Sequence, residues 1–125
     1  MIIGIGSDII EVARMKEELA YKDKTIREEL FTENEIRYCE GKRYPERHYA
    51  ARFAAKEAVF KALQTGRQPE FSWHDIEIQN DTGGRPHLSF SGNVHLLMDR
   101  LAVRHALVSL SHTSEQALAV VILEN

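Results

Sequence analysis

The chain has 125 residues, 43% of them hydrophobic, which is enough for one compact domain with its own core and too apolar for a disordered tail. Its net charge of -3 gives no general attraction for nucleic acid, and no window approaches the roughly 18 to 20 uninterrupted apolar residues of a membrane helix. The opening "MIIGIGSDIIE" has no basic leader before a long apolar run, and the single cysteine, Cys39, cannot form an internal disulfide, so a cytoplasmic protein is expected.

Along the chain, "IIGIGSDII" (residues 2 to 10) reads as a short buried strand. Alternation places Ile3, Ile5, Ser7 and Ile9 on one face and Gly4, Gly6 and Asp8 on the other. From Asp8 the pattern turns helical for about 10 to 12 residues, with Ile9, Val12, Lys16 and Leu19 near one face. Thr32 followed by Glu35 is a capping-box signature for a short helix that Gly41 ends. Pro45 suits the first turn of the longest helix, about 46 to 64, and Gly66 stops it.

"FSWHDIEIQN" then reads as a strand, "NDTGG" as a turn, and a second strand starts near Pro86. "NVHLLMDRLA" carries Val94, Leu97, Met98 and Leu101 at helical spacing, and "HALVSLS" and "QALAVVIL" form a final hairpin around Thr113 to Glu115. No repeat or linker divides the chain. The expected fold is α+β, an antiparallel sheet packed against one long helix and shorter ones.

Charge is uneven: residues 1 to 67 hold 13 Lys/Arg against 12 Asp/Glu, whereas 68 to 125 hold 3 against 7, so any basic surface belongs to the first half. In the long helix, with Phe53 set at zero, Phe60 falls at about 340°, Glu57 at about 40° and Lys61 at about 80°. Glu57 is thus expected in the middle of the packed face, with Lys61 beside it. Arg52 and Lys56 fall on the opposite side and read as solvated charges.

Two explanations of Glu57 remain open on this spacing. It forms an ordinary i,i+4 pair with Lys61, or it binds a stronger partner, because a carboxylate withdrawn from water needs a counter-charge or a metal. Asp8 poses the same choice: Asp8-Ile-Ile-Glu11 has capping-box spacing, yet Gly4 and Gly6 on its face leave room for a ligand or a helix to come close. Two convergent carboxylates with a lysine suit Mg²⁺-assisted phosphoryl transfer, since Mg²⁺ takes hard oxygen ligands.

Other motifs carry little. "GIGSDI" has Ile9 where a dinucleotide fingerprint needs its third glycine. The six histidines form no zinc motif. His112, between Ser111 and Thr113, sits where hydroxyls could simply complete a turn.

Four stretches, "GIGSDIIEVARM", "RFAAKEAVFKALQTG", "GGRP" and "VSLSHT", resemble in order the holo-[acyl carrier protein] synthases, single-domain members of the 4′-phosphopantetheinyl transferases. Ser7 stands where other members often carry Thr or a larger residue. The resemblance implies transfer of the phosphopantetheine arm of coenzyme A to a serine of apo acyl carrier protein, releasing adenosine 3′,5′-bisphosphate in support of fatty acid biosynthesis. It implies Mg²⁺ on Asp8 and Glu57, Lys61 at the phosphates, and Arg14 as the contact to the carrier protein.

Coenzyme A is implied to meet Arg52, Lys61, Gly66, Gly84, Arg85, Pro86, His112 and Thr113 in a homotrimer with sites between subunits. A water, rather than either metal-binding carboxylate, is the expected acceptor of the serine proton. The alternatives are a non-catalytic module that holds a nucleotide or carrier protein in the same cleft, and a structural domain in which Asp8 caps a helix and Glu57 pairs with Lys61.

Overall fold

Strand β1 (Ile2–Glu11) runs one residue further than alternation alone suggested, and helix α1 (Val12–Ala20) begins only after it. The computed structural model describes residues 1–20 and 25–125. Helix α2 (Thr25–Leu30) and helix α3 (Glu33–Glu40) follow, and then the long helix α4 (Pro45–Ala62). A 3₁₀ turn (Trp73–Asp75) leads into the hairpin of β2 (Ile76–Asn80) and β3 (Pro86–Phe90); helix α5 (Gly92–Arg100) connects it to the hairpin of β4 (His105–His112) and β5 (Gln116–Glu124).

The local signals behave as their chemistry requires. Thr32 and Glu35 complete a reciprocal capping box, and Gly41 caps the C-terminal end of α3. Pro45 occupies the first turn of α4, where an amide hydrogen would have no partner. The strands form two antiparallel sheets rather than one: β1-β5-β4 and the separate β2-β3 pair.

Strand β1 turns its glycine face to the interior, with helix α4 in the room that Gly4 and Gly6 leave. Gly4 and Gly6 are buried, whereas Ile5 and Ile9 are 65% and 55% exposed. The reason is steric. Helix α4 lies on the glycine side so closely that a Cβ at Gly4 would overlap the Ala62 carbonyl oxygen, and one at Gly6 would overlap the Ala58 carbonyl oxygen and stand 2.7 Å from the Ala62 amide nitrogen. Only glycine permits that approach. The core then forms between α4 and the inner face of β5, where Ala117, Ala119, Val121 and Leu123 are fully buried.

Gly6→Ala is therefore expected to destabilise the domain by about 2 to 3 kcal/mol, because the clash is with helix backbone that cannot rotate away. Gly41→Ala is the matched control, with nothing closer than 3.5 Å to the new Cβ and an ordinary helical backbone. Urea unfolding should separate the two, and equal small losses would mean that the sheet and α4 part more readily than this packing allows.

Helix α4 also corrects the helical wheel. Arg52 and Lys56 are not solvated; they are 2% and 0% exposed. Lys56 Nζ lies 2.7 Å from Glu35 Oε1 and donates to the carbonyls of Leu30 (2.8 Å) and Trp73 (3.0 Å). Arg52 stacks its guanidinium 4.0 Å from the Tyr38 ring centroid and donates to Asn80 Oδ1 at 2.6 Å. Helix α4 is packed almost all round, and the side it leaves open is the line of Phe53, Glu57 and Lys61.

Candidate active site

That open line faces the last part of β1. Alternation from Gly4 and Gly6 carries Asp8 onto the same face of the strand, just beyond the point where α4 makes its closest approach. Asp8, Glu57 and Lys61 consequently line one cleft of about 620 Å³, together with Ile9, Ile10, Arg14, Met15 and Phe53. Asp8 sits within a strand three residues before its end, so the capping reading with Glu11 does not hold.

Lys61 Nζ donates to Asp8 Oδ1 at 2.9 Å, a bond that joins residues 53 positions apart. Among the described residues Lys61 makes this ion pair and not the i,i+4 pair with Glu57. Glu57 is half-buried, and its carboxyl holds its proton to higher pH than usual, first because burial disfavours its charged form and then because Asp8 repels it. Lys61 and Arg67 oppose that shift only in part.

Two converging carboxylates whose negative charges repel are a donor set for a hard cation. Their oxygens match what Mg²⁺ takes from protein, one or two carboxylates, with water and phosphate oxygens completing its shell. Among the described residues no group of three or more His, Cys, Asp or Glu could hold a metal ion. Arg14 stands at the rim with its side chain 78% exposed, 3.7 Å from Glu18.

The remaining candidates do not line this cleft. Arg52 and Gly84 border a second groove of about 520 Å³ with Tyr38, Lys42 and Asn80. Gly84 has φ +85°, and Pro86 opens β3 opposite Asn80. Gly66 is exposed at φ +62° past the end of α4. His112 lies at the end of β4 with its ring 5.0 Å from that of His48. Thr113 accepts at 3.1 Å from the amides of Glu115 and Gln116, so its hydroxyl completes a turn.

Sequence reasoning passed over His48, which lies one helical turn before Arg52. Burial pulls its pKa down to about 4, helped by His112, Lys42, Arg52 and Arg47, so it is neutral at pH 7. Phe53, which the sequence placed beside Glu57 on the packed face, lines the open cleft instead. The spacing 53, 57, 61 was the available signal, because those positions stack on one helix face.

Residues 4–121 match the family described as the 4′-phosphopantetheinyl transferase superfamily. A holo-[acyl-carrier-protein] synthase of Geobacter sulfurreducens is 42% identical over 124 residues, covering 99% of this chain and 98% of the relative. The crystal structure of the Neisseria meningitidis holo-[acyl-carrier-protein] synthase superposes with a TM-score of 0.90 at 28% identity, covering 100% of both chains. That of the Helicobacter pylori enzyme in complex with coenzyme A gives a TM-score of 0.85 at 32% identity, over 96% of this chain and 99% of the other. This chain belongs to the holo-[acyl-carrier-protein] synthase family of the 4′-phosphopantetheinyl transferase superfamily.

Proposed function

We propose that this protein transfers the 4′-phosphopantetheine group of coenzyme A to a serine of apo acyl carrier protein, releasing adenosine 3′,5′-bisphosphate and serving fatty acid biosynthesis in the cytoplasm. The observation that carries the reading is the convergence of Asp8, Glu57 and Lys61 in one cleft. It is supported by whole-chain similarity to proteins named for that reaction, one of them in complex with coenzyme A.

In this reading Asp8 and Glu57 hold Mg²⁺. Bound there with the pyrophosphate, the cation would neutralise phosphate charge and fix the phosphates in place. Lys61, half-exposed at the cleft, places a positive charge where the pyrophosphate oxygens arrive. The carrier serine oxygen attacks the β-phosphorus as its proton passes to a water, and the bond to the bisphosphate leaving group breaks. Neither carboxylate acts as the base, because each is committed to charge and geometry. Arg52, Gly66, Gly84, Arg85, Pro86, His112 and Thr113 are assigned to coenzyme A.

Lys61 lines one groove of the chain and Arg52 and Gly84 another, and a homotrimer with sites between subunits would unite them. The outer face of the three-stranded sheet supports that assembly: Ile5, Ile9, Leu107 and Leu118 are 65%, 55%, 48% and 41% exposed. They lie in register across β1, β5 and β4, with Ile9 opposite Leu118 and Leu107 opposite Ile122. An exposed apolar patch of this kind is ordinarily covered. Sedimentation of the wild type should give a trimer and Ile5→Glu a smaller species; a monomeric wild type would remove the shared site.

The direct test is incubation with coenzyme A, Mg²⁺ and apo acyl carrier protein, followed by mass measurement of the carrier. A carrier without added phosphopantetheine mass would end the reading. Arg14 is the proposed docking charge for an acidic carrier. Arg14→Glu is expected to raise KM for the carrier on the order of tenfold with little change for coenzyme A, and more strongly at low salt. Equal losses for both substrates would count against docking.

A further inference from the structure

We propose that Asn80 is a positioning residue for nucleotide recognition, tying the hairpin tip at Gly83 to Arg85 to the buried Arg52 guanidinium. The inference rests on the reading that this tip meets coenzyme A.

Asn80 ends β2 and makes two side-chain hydrogen bonds in opposite directions. Its Oδ1 accepts from Arg52 Nη2 at 2.6 Å, and its Nδ2 donates to the Gly84 carbonyl at 3.0 Å. Chemistry fixes that orientation: a guanidinium only donates and a carbonyl oxygen only accepts, so the amide cannot be turned over without losing both bonds.

The anchor is unusually fixed. Arg52 is 2% exposed, is held over the Tyr38 ring, and has no ion pair among the described residues. Its Nε is buried without a hydrogen-bond partner. The Asn80 carbonyl is therefore the one polar side-chain group among the described residues that receives this cation, which leaves its amide free to hold the loop.

The tip itself is braced at each residue. Asp81 Oδ1 accepts from the amides of Gly83 and Arg85, both at 2.9 Å. The Asp81 amide donates to the Arg85 carbonyl at 3.0 Å, and the Gly84 amide to the Asp81 carbonyl at 2.9 Å. The Arg85 amide, with the His87 ring, holds the Asp81 carboxyl below its ordinary range, so it stays ionised and accepting at neutral pH. Those bonds are internal to the loop. Through its bonds to Gly84 and Arg52, Asn80 is the side chain that, among the described residues, connects this braced tip to α4, the helix that carries Glu57 and Lys61.

A loop held in its binding shape beforehand loses less freedom on binding. Asn80→Asp separates the two bonds, since it keeps an acceptor for Arg52 and removes the donor to Gly84. Hydrogen exchange at the Gly83 to Arg85 amides is expected to quicken about fivefold to tenfold in Asn80→Asp and in Asn80→Ala, a range typical for one hydrogen bond. KM for coenzyme A should rise by a similar factor, with kcat and the carrier KM within about twofold.

Unchanged exchange at the tip in both variants would overturn the tie. Faster exchange with an unchanged coenzyme A KM would overturn its role in recognition. Protection of the same amides by coenzyme A in the wild type tests the loop reading separately. Its absence would remove the premise and the inference together, whatever the variants do.

Discussion

Glu57→Gln is expected to lower the transfer rate by on the order of 10² to 10³ while leaving the domain folded and, at neutral pH, no less stable than the wild type. The loss of rate follows from removing one of two carboxylates that converge in the cleft. Stability follows from the same geometry. Burial and the neighbouring Asp8 raise the Glu57 pKa above its ordinary 4.5, so the folded state binds that proton more tightly than the unfolded state. The stabilising contribution is therefore full below the ordinary pKa and is lost as pH rises through the raised one.

Once pH exceeds the raised pKa the ionised Glu57 works against folding, and glutamine, neutral at every pH, removes that effect. Melting curves without divalent cations should show the difference, variant minus wild type, moving in favour of Gln as pH rises above the ordinary 4.5. The Mg²⁺-dependent part of the stabilisation by coenzyme A should disappear in the variant. A variant that melts earlier at pH 7 would make Glu57 a structural partner, and one that keeps full transfer would remove it from the site.

The convergence of Asp8, Glu57 and Lys61 in one cleft was legible because its two halves carry short-range signals. Asp8 shares a face with Gly4 and Gly6 by strand alternation, and Glu57 and Lys61 share a helix face by their four-residue spacing. The depth of each face was not legible. Hydrophobicity assigns isoleucine to the core and is silent about glycine, yet β1 turns its glycines inward, where the backbone of α4 must touch it. The isoleucines were left on a face that none of the described residues covers.

The helical wheel failed on α4 for a different reason. An alanine-rich helix has small residues on every side, so its apolar face lacks contrast and the charges decide the orientation. Arg52 and Lys56 read as solvated because their partners are distant: Asn80 is 28 positions from Arg52, and the Lys56 carbonyl acceptors are 26 and 17 positions away. Capping at Thr32 and the entry at Pro45 were readable because their partners lie within a turn.

Lys56→Met should give the largest loss of stability, about 3 to 5 kcal/mol, because it strips the cation from a carboxylate that stays buried. Lys56 and Glu35 are each fully enclosed, 2.7 Å apart. Glu35 also accepts from the amides of Thr32 and Ile78 at 2.9 and 3.0 Å, so it is held in place by α3 and β2 and cannot follow solvent outward. Burial lowers the Lys56 pKa, and Glu35 resists that shift. Methionine fills the stem's volume but leaves the Leu30 and Trp73 carbonyls without their donor.

In a Glu35→Gln background the same change should cost at least about 1 kcal/mol less, since the orphaned group is no longer charged. Urea denaturation of the four proteins measures that coupling, and additive losses would mean that the pair is not the cause. The activity of folded Lys56→Met, assayed well below its melting point, should stay within a few-fold of wild type. Although Lys56 precedes Glu57 in the chain, its ammonium is on the opposite side of α4, among Leu30, Glu35 and Trp73, and does not line the cleft. A folded but inactive variant would instead make the node a determinant of how α4 presents Glu57 to Asp8.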